Sequence, residues 1–263
     1  MPSWMEGERD KPRAIRPETE VRPVTAKEVA EVIADLNLKS SPGPDGLAYS
    51  FWKDLDEQGV ILSRLFEICR MSGAIPESWR GSRVKLISKG AGKDVSKLEN
   101  WRPISLLNTL YKTYASVIAR RLQSFAVGNE ILSPTQKGFL PVEGVYEHAF
   151  VLDQVIADAT IGRRNLCVAW LDIKDAFGSV DHTQLIEVMK FYKFPPDLIW
   201  VVQNIYESGW CTVRTANTET GRIDILRGVR QGCPLSTFLF NLIINVLLVG
   251  LNETGSWLQL DEL

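Results

Sequence analysis

Apolar and polar positions along this chain follow two periods, and Pro- and Gly-rich punctuation separates the segments. Thr25 is placed to cap a first helix, Glu28 completes a capping box, and Val24 can staple against Val29, so a helix is predicted to about Leu36. Ser40-Ser41-Pro42-Gly43-Pro44-Asp45-Gly46 cannot be helical. Helical spacing returns from about Gln58 to Met71, ended by Gly73 and Pro76, and again from Leu106 to Phe125 and from Val145 to Ala159. In the last of these, Ala149, Leu152 and Ile156 share a face. Asp181 with Gln184 caps a helix through Tyr192, and Pro195-Pro196 opens one that reaches Glu207. Short runs read as strands: Val84–Ile87, a buried strand Leu166–Trp170 ending near Asp172, and a hairpin of Trp210–Thr215 with Arg222–Leu226. Helices and strands alternate irregularly, which predicts an α+β fold rather than a doubly wound sheet.

Composition narrows the class. With 263 residues, 45% hydrophobic and 24% charged, the chain can bury a sizeable core, and residues 1–23, charged and proline-bearing, read as a flexible leader rather than a signal peptide. Leu235–Leu251 is apolar but contains Ser236, Thr237, Asn241 and Asn245, which suits a buried core helix better than a membrane span. Cys69, Cys167, Cys211 and Cys233 are widely spaced, with no C-x-x-C pair and only His148 and His182 as histidines. That argues against a zinc site or disulfide framework and for reduced thiols in an intracellular protein of nucleus or cytoplasm. Net charge is only −2, yet the stretch Trp79–Arg121 holds ten cations against Asp94 and Glu99. Such a stretch is either a polyanion-binding face or a set of solvated helix and loop charges.

Three places carry candidate chemistry. Asp172 closes the apolar run, where a carboxylate calls for a cationic partner; a divalent metal is one answer, with the Ile173 carbonyl as a second oxygen ligand, and a satisfied polar residue is the other. Asp175 lies past the strand, and Asp181 is better explained as a cap. Arg227–Pro234 is a Gly-rich turn in which Gln231-Gly232 offers backbone groups to a ligand, although many loops contain that pair. Asn100-Trp101-Arg102-Pro103-Ile104-Ser105, with Lys89 upstream, supplies a guanidinium and an ammonium suited to phosphate or to a structural ion pair.

Taken in order, these segments resemble a reverse transcriptase of the non-LTR retrotransposon type over about Val24 to Asn252. Ser41–Gly46 resembles the family's Pro-Gly-Pro-Asp-Gly loop, Val84–Gly90 and Asn100–Ser105 its fingers motifs, and Ser133-Pro134-Thr135-Gln136-Lys137-Gly138-Phe139 the segment before the palm. Asp172–Phe177 matches the first palm motif and Gly228–Leu235 the second. The resemblance implies right-hand polymerase architecture, with fingers-like residues 24–160 and a partial palm at 161–263. It also implies a function, RNA-directed DNA synthesis by two-magnesium nucleotidyl transfer, and ligands: RNA template, DNA primer and deoxynucleoside triphosphates. Asp172 and Ile173 would hold Mg2+, and Phe177 would be the aromatic gate against a ribonucleotide 2′-hydroxyl. Lys89 and Arg102 would grip the triphosphate, Gln231 and Gly232 would border the nascent base pair, and Arg80, Arg83 and Lys85 would contact nucleic acid.

Departures from the family pattern are Ser88 and Thr237 where proline is common, and Gly178 where an acidic residue is frequent. The family's third palm motif ends in paired aspartates, and no Asp-Asp dipeptide occurs in the sequence; Leu258–Leu263 looks like the lead-in to that hairpin. The sequence therefore reads as truncated, without the third motif or thumb, and catalytically incompetent as an isolated chain. A non-catalytic nucleic-acid-binding remnant, or a decayed element copy without a selected role, is the alternative.

Overall fold

The computed structural model of the chain describes residues 22–90, 92–215 and 217–253. The leader up to residue 21, and Leu258–Leu263, lie outside the described residues. Helix α1 (Ala26–Ala34) starts as its local sequence dictates: the Thr25 hydroxyl accepts from the Glu28 N–H at 3.2 Å and the Glu28 carboxylate accepts from the Thr25 N–H at 2.9 Å. Helix α2 (Tyr49–Asp56) has no such signal, because Ala48 at its N-cap offers no capping side chain. Tertiary contact holds it instead, the Trp52 indole N–H donating to the Thr109 hydroxyl at 2.7 Å. Asp56 then caps α3 (Val60–Ser72), accepting from the Val60 and Leu62 amides at 2.9 and 2.7 Å.

A single turn, α4 (Glu77–Arg80), leads into β1 (Gly81–Ser88) and β2 (Trp101–Leu106), which pair antiparallel. Helix α5 (Thr109–Gly128) is the centre of the core, with Tyr111, Tyr114, Ala115, Ile118 and Leu122 fully buried. Burying each of the large ones is worth about 1.5–3 kcal/mol. After α6 (Gly144–Ile161) come α7 (His182–Phe191), capped by Asp181 as expected, and α8 (Pro196–Tyr206), opened by its prolines. Strands β3 (Trp210–Arg214) and β4 (Ile223–Asp224) form the expected hairpin, with a shorter second strand, and α9 (Pro234–Glu253) closes the described chain.

The sheet order is β2-β1-β3-β4, with β1 parallel to β3, so one mixed sheet joins segments more than a hundred residues apart. The fold is mixed α and β with a small sheet, and one hydrophobic core reaches from Val24 to Leu242. Helix α9 has the length and composition to cross a membrane, yet Asn241 and Asn245 on it are buried and bonded to protein: Asn241 Nδ2 donates to the Gly138 carbonyl at 2.7 Å and Asn245 Nδ2 to the Ile131 carbonyl at 2.8 Å. Its first half is core, while Leu247 is exposed.

One expectation is overturned. Leu166–Trp170 is not a strand, buried or otherwise: residues 165–173 have no regular secondary structure and join no sheet, and Trp170 and Leu171 are 71% and 75% exposed. A strand forms only against a neighbour that accepts its hydrogen bonds, and no described residue offers this segment an edge. Helix α6 forms where expected but keeps its apolar side chains outside; only Gly144 is buried.

Two local features give tests of this architecture. Gly43 docks the Ser41–Gly46 loop on the start of α5: a Cβ there would lie 2.5 Å from the Asn108 N and Cα and the Leu107 carbonyl carbon. Gly43→Ala should therefore lower stability by about 1–3 kcal/mol, read as a lower urea midpoint at unchanged slope. Glu67 on α3 is gripped by Arg70 at 2.6 and 2.8 Å, and Arg70 reaches Asp197 on α8 at 2.8 Å. The Arg70 hydrogen bonds hold the Glu67 carboxyl below its ordinary range. A lowered folded value means stability that is present above the ordinary carboxylate range and lost as pH falls through the folded value. Glu67→Gln should thus be less stable than the parent at neutral pH, with the gap closing in acid; urea midpoints at neutral pH and at about pH 3 measure it.

Candidate functional site

The strands create a cationic face by register. Arg83, Lys85 and Ile87 alternate away from the buried Ser82 and Val84, and Arg102 lies opposite Ile87 while Arg214 lies opposite Lys85. Lys89 continues the edge, its N–H donating to the Asn100 carbonyl at 2.8 Å. Lys85, Lys89 and Arg102 are exposed and pair with no described carboxylate. Arg83 is different: its Nε donates to Glu219 at 3.0 Å, and the Arg83 guanidinium and Thr212 hydroxyl together hold the Glu219 carboxyl below its ordinary range, with the hydroxyl the stronger influence. Arg80 is tied into the fold, donating to the carbonyls of Asn204 and Glu207 at the end of α8 and facing Glu77. Arg120 and Arg121, at the far end of the basic stretch, bond Asp35 and Glu28. The ten cations of Trp79–Arg121 do not form one patch.

The Gly-rich turn lies against this hairpin. The Ser105 N–H on β2 donates to the Gln231 carbonyl at 2.8 Å. Gly232 has φ of +119°, and a Cβ there would lie 2.7 Å from the Ser105 carbonyl oxygen, so only glycine fits both the backbone and the approach. Next to it, Arg230 is buried and donates to the carbonyls of Trp79 and Arg80 at 3.2 and 2.8 Å, with its guanidinium over the Tyr111 ring. Burial pushes the Tyr111 phenol up, and so does the neighbouring Cys233, whose sulfur lies 3.3 Å from its hydroxyl. Ser105 ends the Asn100–Ser105 motif and Arg230 stands inside the Gly-rich turn, but nothing in a linear reading distinguishes a buried arginine there from an exposed one.

The third element is the turn around Phe177. The Phe177 carbonyl accepts from the Val229 N–H at 2.8 Å, the Val180 carbonyl accepts from the Gly228 N–H at 2.7 Å, and Arg227 donates to the Ser179 carbonyl. The Phe177 ring lies 5.1 Å from Phe240 and 5.9 Å from Phe139. Three sequence-distant segments, 101–106, 177–180 and 227–232, are thus held together by backbone hydrogen bonds.

Asp172 and Ile173 are exposed, upstream of Phe177. Among the described residues no group of three His, Cys, Asp or Glu side chains is placed to hold a metal ion. Asp181, the next carboxylate after Asp175, is occupied as the α7 cap. The described residues therefore do not fit a two-metal site.

Residues 87–258 match the model of the family described as reverse transcriptase (RNA-dependent DNA polymerase). The chain is 32% identical over 241 residues to the transposon TX1 uncharacterized 149 kDa protein of Xenopus laevis, covering 91% of this chain and 18% of that protein. It is 32% identical to the Pol polyprotein of the type-2 retrotransposable element R2DM of Drosophila melanogaster, over 81% of this chain and 19% of that one. To the RNA-directed DNA polymerase from mobile element jockey of the same fly it is 30% identical, over 83% and 24%. The chain spans about a fifth to a quarter of the length of these relatives. Together with the converging motif segments, these matches place the chain in the reverse transcriptase (RNA-dependent DNA polymerase) family, on its non-LTR retrotransposon side.

Proposed function

We propose that the chain is the part of a retrotransposon reverse transcriptase that grips template and incoming nucleotide, with residues 24–160 as fingers-like region and 161–263 as partial palm. Its ligands are RNA template, DNA primer and deoxynucleoside triphosphates. Lys89 and Arg102 hold the triphosphate, Gln231 and Gly232 border the nascent base pair, Phe177 excludes a 2′-hydroxyl, and Arg83 and Lys85 contact template phosphates. Arg80, bonded to α8, supports β1 from behind rather than meeting a ligand directly. The observation that carries the reading is the hydrogen-bonded union of the hairpin, the Phe177 turn and the Gln231-Gly232 turn beside an unneutralised cationic face.

The chemistry that the chain's own residues supply is positioning and charge. Phosphoryl transfer depends on alignment of the triphosphate and on neutralising its charge, and a guanidinium with a nearby ammonium provides both. Divalent metal is general in this family. Asp172 and the Ile173 carbonyl would be the protein ligands offered to a magnesium ion, with water and triphosphate oxygens completing its shell. Two-metal chemistry asks for a further carboxylate beside them, which the described residues do not place there, so the isolated chain should bind template and nucleotide without sustaining synthesis. Robust template-dependent extension by the purified chain would contradict that expectation.

Binding has a measurable electrostatic signature. The logarithm of affinity for single-stranded RNA should fall linearly with the logarithm of salt concentration, with a slope of about −0.7 per phosphate contact. Replacing Arg83 and Lys85 together with alanine should flatten that slope by roughly 1.4 units and weaken binding to all sequences alike. Filter binding across a salt series tests it, and a salt-indifferent affinity, or one unmoved by the double substitution, would contradict the proposed interface.

A further inference from the structure

Phe139 is a bulky aromatic residue on an unusual backbone. Its backbone sits in the left-handed region at φ of +57°, which a bulky L-residue adopts only under constraint, and its side chain is 57% exposed. Burial does not compensate the strain, so its surroundings must hold it. They do: Asn241 on α9 donates to the Gly138 carbonyl at 2.7 Å, the Gly138 N–H donates to Gln136 Oε1 at 2.9 Å, and Lys137 pairs with Glu147 at 2.6 Å. A strained residue fixed this firmly points to a positional role. Its ring stands 5.9 Å from that of Phe177 at 56°, and Phe240 stands on Phe177 at 5.1 Å and 41°.

We propose that Phe139 is a positioning residue that sets sugar discrimination: with Phe240 it packs against the Phe177 ring and so fixes the space left for C2′ of the nucleotide. This rests on the reading of Phe177 as the gate. A ring with a single aromatic neighbour can swing away from a ligand more freely than one in contact with two. Phe240 is well suited as the second neighbour, because α9 begins immediately after the Gln231-Gly232 turn and carries Asn241, the donor that restrains Gly138. One helix therefore couples the gate ring, the strained loop and the base-pair turn. Backbone is already committed at this point, since the Phe177 carbonyl accepts from Val229, so the ring torsions are the remaining freedom that Phe139 removes.

The test uses Phe139→Gly, which suits the left-handed backbone and removes only the ring, with Phe139→Tyr as the conservative rescue. In the 263-residue chain labelled with 4-fluorophenylalanine, the Phe177 19F line is identified by its loss in Phe177→Leu. It should shift and broaden in Phe139→Gly and return in Phe139→Tyr; an unchanged line in Phe139→Gly overturns the proposal. Photo-crosslinking of 4-thio-dUTP against 4-thio-UTP, with primer–template and Mg2+, reads the consequence. The preference for the deoxynucleotide should fall about tenfold in Phe139→Gly, approaching that of Phe177→Leu. If the fluorine line moves but neither Phe177→Leu nor Phe139→Gly alters the preference, the gate reading fails and the specificity claim with it, while the packing of the three rings stands. If Phe177→Leu alters the preference and Phe139→Gly does not, the gate survives and Phe139 has no part in it.

Discussion

Gly232→Val should abolish specific capture of nucleotide by the chain while leaving its core folded. A branched side chain at this position meets the Ser105 carbonyl oxygen, 2.7 Å from where even a Cβ would lie, on a backbone whose φ of +119° valine avoids. The turn must then leave β2, breaking the Ser105 to Gln231 hydrogen bond that seats Gln231 on the strand. Gly232 itself is exposed and the hydrophobic core includes neither Gln231 nor Gly232, so the global cost should be small beside the local one. A loss of more than about tenfold in nucleotide crosslinking, with a thermal midpoint within a few degrees of the parent, is the expected result. An equal loss of crosslinking and of cooperative unfolding would mean that the turn is part of the core instead.

The second large effect is on stability. Trp79 is buried between Phe66, Tyr111 and Tyr114, with ring centroids 6.3, 6.1 and 5.6 Å away, at the point where α4 hands the chain to β1. Its carbonyl also accepts from Arg230. Trp79→Ala leaves that carbonyl in place and empties the centre of an aromatic cluster, so it should cost about 3–5 kcal/mol. A small domain has only about 5–15 kcal/mol in total, so the variant should unfold far earlier in urea, and the loss of site binding should follow from unfolding. A midpoint near that of the parent would show that the cluster is more loosely packed than the ring separations imply.

What could be read from the chain follows from the range of the forces involved. The Thr25–Glu28 box, the Asp181 cap and the prolines opening α8 are local signals satisfied within a few residues, and each element starts where its signal stands. Helix α2 lacked such a signal and depends on the hydroxyl of Thr109, 57 residues on from Trp52. Strand β2 contains Pro103, which disguises it; the strand is tolerated because it is at the sheet edge, where a missing N–H is not needed. The parallel pairing of β1 with β3 has no trace in either segment taken alone. Leu166–Trp170 failed for the opposite reason: its composition is that of a buried strand, but strand formation depends on a partner that composition does not encode.

The candidate site divides the same way. The order of motif segments indicated the family, and Lys89, Arg102, Phe177, Gln231 and Gly232 were named from them. What joins them was not legible: Ser105, Val229 and Arg230 act through backbone groups, which leave no mark in residue type. The basic stretch also changed meaning, because Arg80, Arg120 and Arg121 are held by α8, Asp35 and Glu28 and leave the exposed strand face with Lys85, Lys89 and Arg102.

The β1–β2 hairpin, the Phe177 turn and the Gln231-Gly232 turn are proposed to form one nucleotide-binding surface. Crosslinking a radiolabelled photoreactive deoxynucleoside triphosphate to the purified chain with primer–template, followed by peptide mapping, tests it most directly. Label is expected on peptides containing Lys89 or Arg102 and on the peptide containing Gln231, displaced by unlabelled triphosphate. Label confined to other peptides, or undiminished by competitor, would contradict it.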